Sequence, residues 1–294
     1  MLGPLHRAIS SWSNLQEVLG SYEKLKELFS QLEQTPSRLE LPPPEGRLNV
    51  EQISYAVPGQ VLLQGVSFEL QAGEFLGIIG PMAAGKTTLA RLLTGVVLPS
   101  AGKIRLDGAD MHIWDQTNLG RYLGYLPQEV ELFPGTIKEN IARLAEYPDE
   151  GQLTAAVRRA GLEGIVERLP EGLETVIEDR GGNLPGGLRQ RVGLARAMYG
   201  DPRLVILDEP DANLDRDGRR ALQLTLRELR ESGVTVVMVT HRVSLLQEAD
   251  KILVLKQGRV AIYGPASSVW AKLTPGAENS RRLSPPSTNL PEGN

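Results

Sequence analysis

A chain of 294 residues with 41% apolar side chains is long enough to bury one large core or two modest ones. Its formal net charge of −4 argues against a polyanion-coating protein, because contact with a phosphate backbone needs a clustered basic excess; nucleic acid is therefore not expected as a main partner. With no cysteine there is neither a disulfide framework nor a thiolate zinc site, and three scattered histidines (His6, His112, His241) form no metal cluster.

From Leu5 to Phe29, apolar residues at Leu5, Ile9, Trp12, Leu15, Val18, Tyr22, Leu25 and Leu28 draw one stripe along a helix, assigned to residues 1–33. Two readings stay open: a helix packed on its own domain, or one leading out of an upstream membrane segment. QTPSRLELPPPEGR, residues 34–47, cannot continue a helix and reads as an extended linker. Beyond it, β-type runs (RLNVEQISYAV, LLQGVSFEL, EFLGIIG) precede the helical LARLLTG. Later β runs (LVILD, VTVVMVT, KILVLKQG) alternate with helical patterns, as in a parallel sheet covered by helices. Residues 129–200 are mostly helical in pattern, which predicts an inserted helical subdomain within a domain spanning 48–272. The tail, 273–294, is polar and proline-rich and is expected to be disordered. The longest apolar runs, such as VTVVMV at 234–239, fall well short of the roughly 18–20 residues that span a bilayer, so neither a membrane helix nor a signal peptide is expected.

The strongest motif is Gly80-Pro81-Met82-Ala83-Ala84-Gly85-Lys86-Thr87, which matches G-x-x-x-x-G-K-[ST] between an apolar strand and a helix. Backbone N–H groups of such a loop and of the first helical turn, which includes Thr88, face a polyphosphate. Lys86 reaches the β and γ phosphates, and the Thr87 hydroxyl binds Mg²⁺. LVILDEP, residues 204–210, adds Asp208 and Glu209 at the C-terminal end of a buried strand, where α/β sheets hold ligands. Asp208 suits a metal and Glu209 suits a base that takes a proton from water. Alone, two acids after a strand read equally well as a solvated loop; the phosphate loop about 120 residues upstream favours the chemical reading.

Over residues 48–268 the chain resembles the nucleotide-binding domain of ATP-binding cassette (ABC) proteins. The resemblance implies an α/β P-loop NTPase fold: an antiparallel β subdomain, a RecA-like core and an inserted α-helical subdomain. It implies ATP and Mg²⁺ as ligands. Tyr55, in ISYAVPG, matches the aromatic that stacks on adenine, although a strand tyrosine packed on the sheet is the alternative. Gln128, in LGYLPQEVELF, matches the glutamine that senses metal and attacking water, and His241 matches the histidine that contacts the γ-phosphate. Asn213-Leu214-Asp215 resembles the loop that crosses the dimer interface. LFPGTIKENIARLA (132–145), TVIEDRGGNL (175–184) and RLDGADMHIWD resemble exporter-type cassettes, and in particular type I secretion exporters of Gram-negative cells. That family implies a homodimer or heterodimer of ABC domains, six membrane helices that this sequence does not contain, a periplasmic adaptor, an outer-membrane channel, and a location on the cytoplasmic face of the inner membrane.

Leu184-Pro185-Gly186-Gly187-Leu188 matches the L-S-G-G-Q signature, which completes the ATP site of the opposite subunit, with two departures. Pro185 stands where a serine meets the γ-phosphate, and Leu188 stands where the family has glutamine. Proline is tolerated in a helix's first turn, so the helix is expected to form. Losing a hydrogen bond to a charged group, worth about 1.5–3 kcal/mol, weakens the closed dimer by about 10- to 150-fold per site. Met82 and Ala83 also depart from the family's serine and glycine. Three readings follow: a transport ATPase; a catalytically weak regulatory or structural subunit, or the partner of a chain with an intact signature; and a soluble ABC protein on ribosomes or DNA, which the acidic charge and exporter-like stretches disfavour.

Overall fold

A computed structural model describes residues 19–23, 26 and 41–273. Residues 19–23 and 26 are helical; the rest of the expected 1–33 helix, the first part of the linker and the tail from 274 lie outside the described residues.

Strands β1 (Leu48–Val57), β2 (Gln60–Leu70) and β3 (Phe75–Ile79) lead into helix α1 (Lys86–Leu92). Next come β4 (Ala101–Leu106), β5 (Ala109–Asp110), α2 (Gln116–Tyr122) and β6 (Leu123–Leu126). Residues 129–200 hold β7 (Gly135–Thr136), α3 (Ile137–Ile141), α4 (Glu150–Arg159), α5 (Glu163–Val166), β8 (Val176–Ile177) and α6 (Gly186–Met198). The chain then runs through β9 (Leu204–Asp208), α7 (Arg216–Glu231), β10 (Thr235–Val239), β11 (Lys251–Lys256), β12 (Arg259–Pro265) and α8 (Ala266–Leu273).

The six-stranded sheet has the order β12-β11-β3-β10-β9-β6, parallel except for β12, and a four-stranded antiparallel sheet has the order β2-β1-β4-β5. Every residue of β9 and β10 is buried, as expected of parallel strands covered on both faces, and alternation divides them between two cores. Leu204, Ile206, Val237 and Val239 face a core shared with α1 and the antiparallel sheet. Val205, Leu207, Val236 and Met238 face the other, shared with α3, α4, α6 and α7. The 129–200 segment thus supplies its own apolar layer on one side of the sheet.

Local chemistry starts the helices. Thr136 and Glu139 form a reciprocal capping box on α3, while Asp149 and Asp215 cap α4 and α7 through Gln152 N–H and Gly218 N–H. The end of the linker is fixed by a residue far along the chain: the Asp107 carboxylate accepts from the backbone N–H groups of Glu45 (2.7 Å), Gly46 (3.2 Å) and Arg47 (2.9 Å).

Candidate functional site

The site follows from strand register. In the parallel sheet Val239 lies opposite both Ile78 and Asp208, and Leu126 lies opposite Leu207. The residues just past the C-terminal ends of β3, β6, β9 and β10 therefore converge, and these are the phosphate loop, Gln128, Glu209 and His241.

The loop from β3 to α1 needs two of its glycines. Gly80 approaches the backbone so closely that a Cβ would lie 2.1 Å from the Leu255 carbonyl oxygen; Gly85 has φ 97°, and a Cβ there would lie 2.9 Å from the Leu62 carbonyl oxygen. Ala83 takes a left-handed φ of 58° where the family has glycine, so the loop keeps its path. Met82 is 92% exposed, so its side chain does not fill the concavity of the loop. Lys86 is buried, and its Nζ donates to the carbonyls of Gly80 (3.0 Å) and Pro81 (2.9 Å). Burial pulls its pKa below the usual lysine range, and the charges of Glu209 and Asp208 oppose that shift. Thr88 is half-buried in the first turn of α1.

A chain of contacts crosses the floor of the site. The Thr87 hydroxyl donates to Gln128 Oε1 (3.3 Å), Gln128 Nε2 donates to Glu209 Oε2 (3.4 Å), and His241 Nε2 lies 3.2 Å from Glu209 Oε1. Asp208 is fully buried, and neither of its carboxylate oxygens is met by a donor in hydrogen-bonding geometry, because the neighbouring Thr87 hydroxyl is directed to Gln128 Oε1. A buried, unpaired carboxylate is costly unless a cation or donor meets it, so the donor set of Asp208, Thr87 and Gln128 fits a hard cation bound through oxygen. Burial pushes the Asp208 carboxyl above its ordinary value near 3.8 and the Glu209 charge adds to the shift, while the nearby Thr87 hydroxyl and the charges of Arg91 and Lys86 oppose it without cancelling it.

A pKa raised by folding means that the folded state holds its proton more tightly than the unfolded chain does. Stability present at low pH is then lost as pH rises through the folded value, and ionised Asp208 is a burden at neutral pH. Asp208→Asn is expected to raise the ligand-free thermal midpoint at pH 7, by about 2–4 °C for each kcal/mol recovered. The gain should shrink toward pH 4, and metal-dependent stabilisation should disappear. Thermal melts across that pH range, with and without Mg²⁺, check it; a lower midpoint at pH 7 contradicts it.

Tyr55 is half-buried on β1, against the core shared with the antiparallel sheet. Its register partner Leu63 reaches the phosphate loop, its Cδ2 lying 2.7 Å from where a Cβ on Gly85 would sit. The tyrosine is thus one strand from the loop, a placement open to both of its readings.

The signature stretch lies apart from these groups. Pro185 stands at the N-cap of α6, one position before the first turn, with φ −56° and ψ 144°; its carbonyl accepts from the N–H groups of Leu188 and Arg189, 3.0 Å each. The helix forms, but the cap supplies neither a hydroxyl nor an N–H. Leu184 and Leu188 are buried in the core of the helical region, whereas Pro185 is exposed and Gly186 and Gly187 are half-buried. The Asn213-Leu214-Asp215 loop packs on the same helix end: Asn213 has φ 59°, and its carbonyl oxygen lies 3.0 Å from where a Cβ on Gly187 would be. Leu214 is buried, and Asp215 accepts from Gly218 N–H (2.7 Å) and Arg191 Nη2 (2.6 Å). These contacts hold the Asp215 carboxyl below the usual range, the Gly218 hydrogen bond most strongly. Two polar residues of α6 that the sequence did not single out are built into this region, Arg191 and Gln190; the latter bonds to the carbonyls of Glu209 and Pro210.

A family profile described as ABC transporter matches residues 63–212. The chain is 43% identical over 274 residues to the type I secretion system ATP-binding protein PrsD of Rhizobium meliloti, covering 92% of this chain and 47% of that protein. It is 32% identical over 271 residues to the cyclolysin secretion/processing ATP-binding protein CyaB of Bordetella pertussis, covering 91% of this chain and 38% of that one. Among solved structures it is similar to a bacterial Atm1-family ABC exporter with ATP bound, with TM-score 0.78 and 30% identity over 92% of this chain and 49% of the other. The chain thus spans about half or less of the length of these relatives. Among the described residues no helix is long and apolar enough to cross a membrane.

Proposed function

The chain belongs to the ABC transporter family, and on that premise we propose that it is the ATP-binding and ATP-hydrolysing part of a type I secretion exporter. The observation that carries the reading is the convergence of Lys86, Thr87, Gln128, Asp208, Glu209 and His241 at the C-terminal ends of four parallel strands. In this reading, loop amides and Lys86 hold the ATP polyphosphate and Tyr55 stacks on the base. Glu209 accepts the proton of the attacking water, and His241 and Gln128 orient Glu209 and the γ-phosphate. Thr87, Gln128 and Asp208 would hold Mg²⁺, which, when bound, offsets the negative charge of the phosphates.

The similarity to PrsD and CyaB supports protein secretion as the task. The partners in this reading are a second ABC domain in a head-to-tail homodimer or heterodimer, a transmembrane domain, a periplasmic adaptor and an outer-membrane channel. The work is done at the cytoplasmic face of the bacterial inner membrane. Leu184 to Leu188 and the Asn213–Asp215 loop of each chain would close on the nucleotide held by the other.

Pro185 favours a second reading, a catalytically weak subunit, because the cap offers no donor to a γ-phosphate. Pro185→Ser separates the two. A restored hydroxyl and N–H are expected to tighten the ATP-bound dimer by about 10- to 150-fold and to raise turnover. ATP-dependent dimerisation and phosphate release measured side by side decide it; a dimer that gains affinity without faster release supports the weak subunit instead.

A further inference from the structure

Glu209 holds its backbone at φ 49°, a left-handed conformation that a residue with a Cβ keeps only where its surroundings impose it. Three hydrogen bonds do so. Its N–H donates to the Val239 carbonyl (2.9 Å), and its own carbonyl accepts from Ala212 N–H (3.0 Å) and from Gln190 Nε2 (3.5 Å). The same Nε2 reaches the Pro210 carbonyl at 3.4 Å. Both contacts of Gln190 are long, so one amide is shared between two successive peptide groups. The side chain is 3% exposed, in a helix whose other buried residues, Arg191 apart, are apolar or glycine, among them Leu188, Val192 and Leu194. A polar group so placed is expected to have a specific partner, and here the partner is the backbone of the proposed base.

Gln190 stands four residues after Gly186, one turn into the helix that begins with the signature. Its neighbour Arg191 ties the same turn to the Gly161 carbonyl (2.7 Å) and to Asp215 Oδ1 (2.6 Å), at the far end of the 209–215 segment. The segment is therefore held to α6 at both ends, and Gln190 holds the end that carries Glu209.

We propose that Gln190 is a positioning residue that fixes the backbone at Glu209 and links it to α6. Engagement of this chain's signature with the nucleotide of its partner then adjusts the base in this chain's own site. The link between sites rests on the proposed function; the positioning of Glu209 rests on the geometry alone. The two ATP sites of the dimer would communicate through this amide.

Gln190→Met, which keeps length and volume but removes the donor, tests both parts in the whole chain. In the ligand-free protein, amide hydrogen exchange of the N–H groups at 209 and 211–213 is expected to rise about ten-fold or more, with β3 and β10 as protected as in wild type. Unchanged exchange at 209–213, or acceleration spread evenly over the strands, overturns the positioning role. In ATP turnover, kcat is expected to fall about ten-fold with KM nearly unchanged. A parallel loss of ATP affinity and thermal midpoint at unchanged kcat overturns the link. If wild type itself has no ATPase activity that Lys86→Ala removes, the proposed function fails, and the exchange result still decides the positioning.

Discussion

Glu209→Gln is expected to lower phosphate release by about 10²- to 10⁴-fold, the range that positioned general bases contribute, while ATP stays bound. The substitution changes little besides the proton. Glu209 meets His241 Nε2 at 3.2 Å through Oε1 and Gln128 Nε2 at 3.4 Å through Oε2, and a glutamine of the same shape keeps an acceptor for one of them. The left-handed backbone at this position is set by main-chain and Gln190 contacts, none of which involves the Glu209 carboxylate, so it survives the change. What is lost is the ability to take a proton from water. Since ATP then persists, the closed dimer should accumulate, seen as an ATP-dependent shift in size-exclusion or scattering measurements. Removing the negative charge also relieves its repulsion with Asp208 in the same site. Phosphate release at the wild-type rate removes Glu209 as the base.

The parts of this site that the sequence revealed are those whose requirements are local. A loop that turns from strand to helix around a phosphate needs glycine at fixed positions and a lysine one residue past the last of them, and Gly80, Gly85 and Lys86 carry that pattern within eight residues. The buried strands LVILD and VTVVMV announce themselves by their apolar runs, LVIL and VVMV, and the position of Asp208 and Glu209 follows from where the first run ends. The resemblance to ABC proteins, carried by those motifs, was borne out by the profile match over residues 63–212.

Other features depend on distant partners and leave no local signal. In LRQRVG, Gln190 and Arg191 read as polar residues on a helix; only the packing of α6 against the 209–215 segment turns them inward. Asp107 reads as half of a turn with Gly108, yet it collects three N–H groups from residues about 60 positions earlier. Strands β7 and β8 are two residues each, too short to show alternation, so they fell silently within the helical stretch. Leu188 is the most instructive. Sequence comparison marks it as a missing glutamine, whereas its burial in the core of the helical region makes it a packing residue. Restoring glutamine there places an amide among apolar side chains, at a cost of about 1–3 kcal/mol if it finds no partner. Pro185→Ser alone is therefore the better restoration of the signature.

Lys86→Ala is expected to weaken ATP binding by about 10²- to 10⁴-fold. Each charge-assisted hydrogen bond from the ammonium to a phosphate oxygen is worth about 1.5–3 kcal/mol, and two of them together give that range in Kd. In the ligand-free protein the Nζ donates to the Gly80 and Pro81 carbonyls, so the cation is already inside the loop and need only exchange those acceptors for phosphate. Lys86 also faces Asp208 and Glu209, and without it two carboxylates and a polyphosphate would share one concavity with less positive charge to offset them. Because burial lowers the lysine's pKa, affinity in the wild type should begin to fall at a lower pH than for an ordinary lysine, and the alanine variant should lack that alkaline limb. Thermal stability of the ligand-free variant should change little by comparison, since relief of a partly desolvated charge offsets the loss of two carbonyl contacts. Calorimetric titration with ATP across the alkaline range tests all three statements together; an unchanged Kd at neutral pH would place the nucleotide somewhere other than this loop.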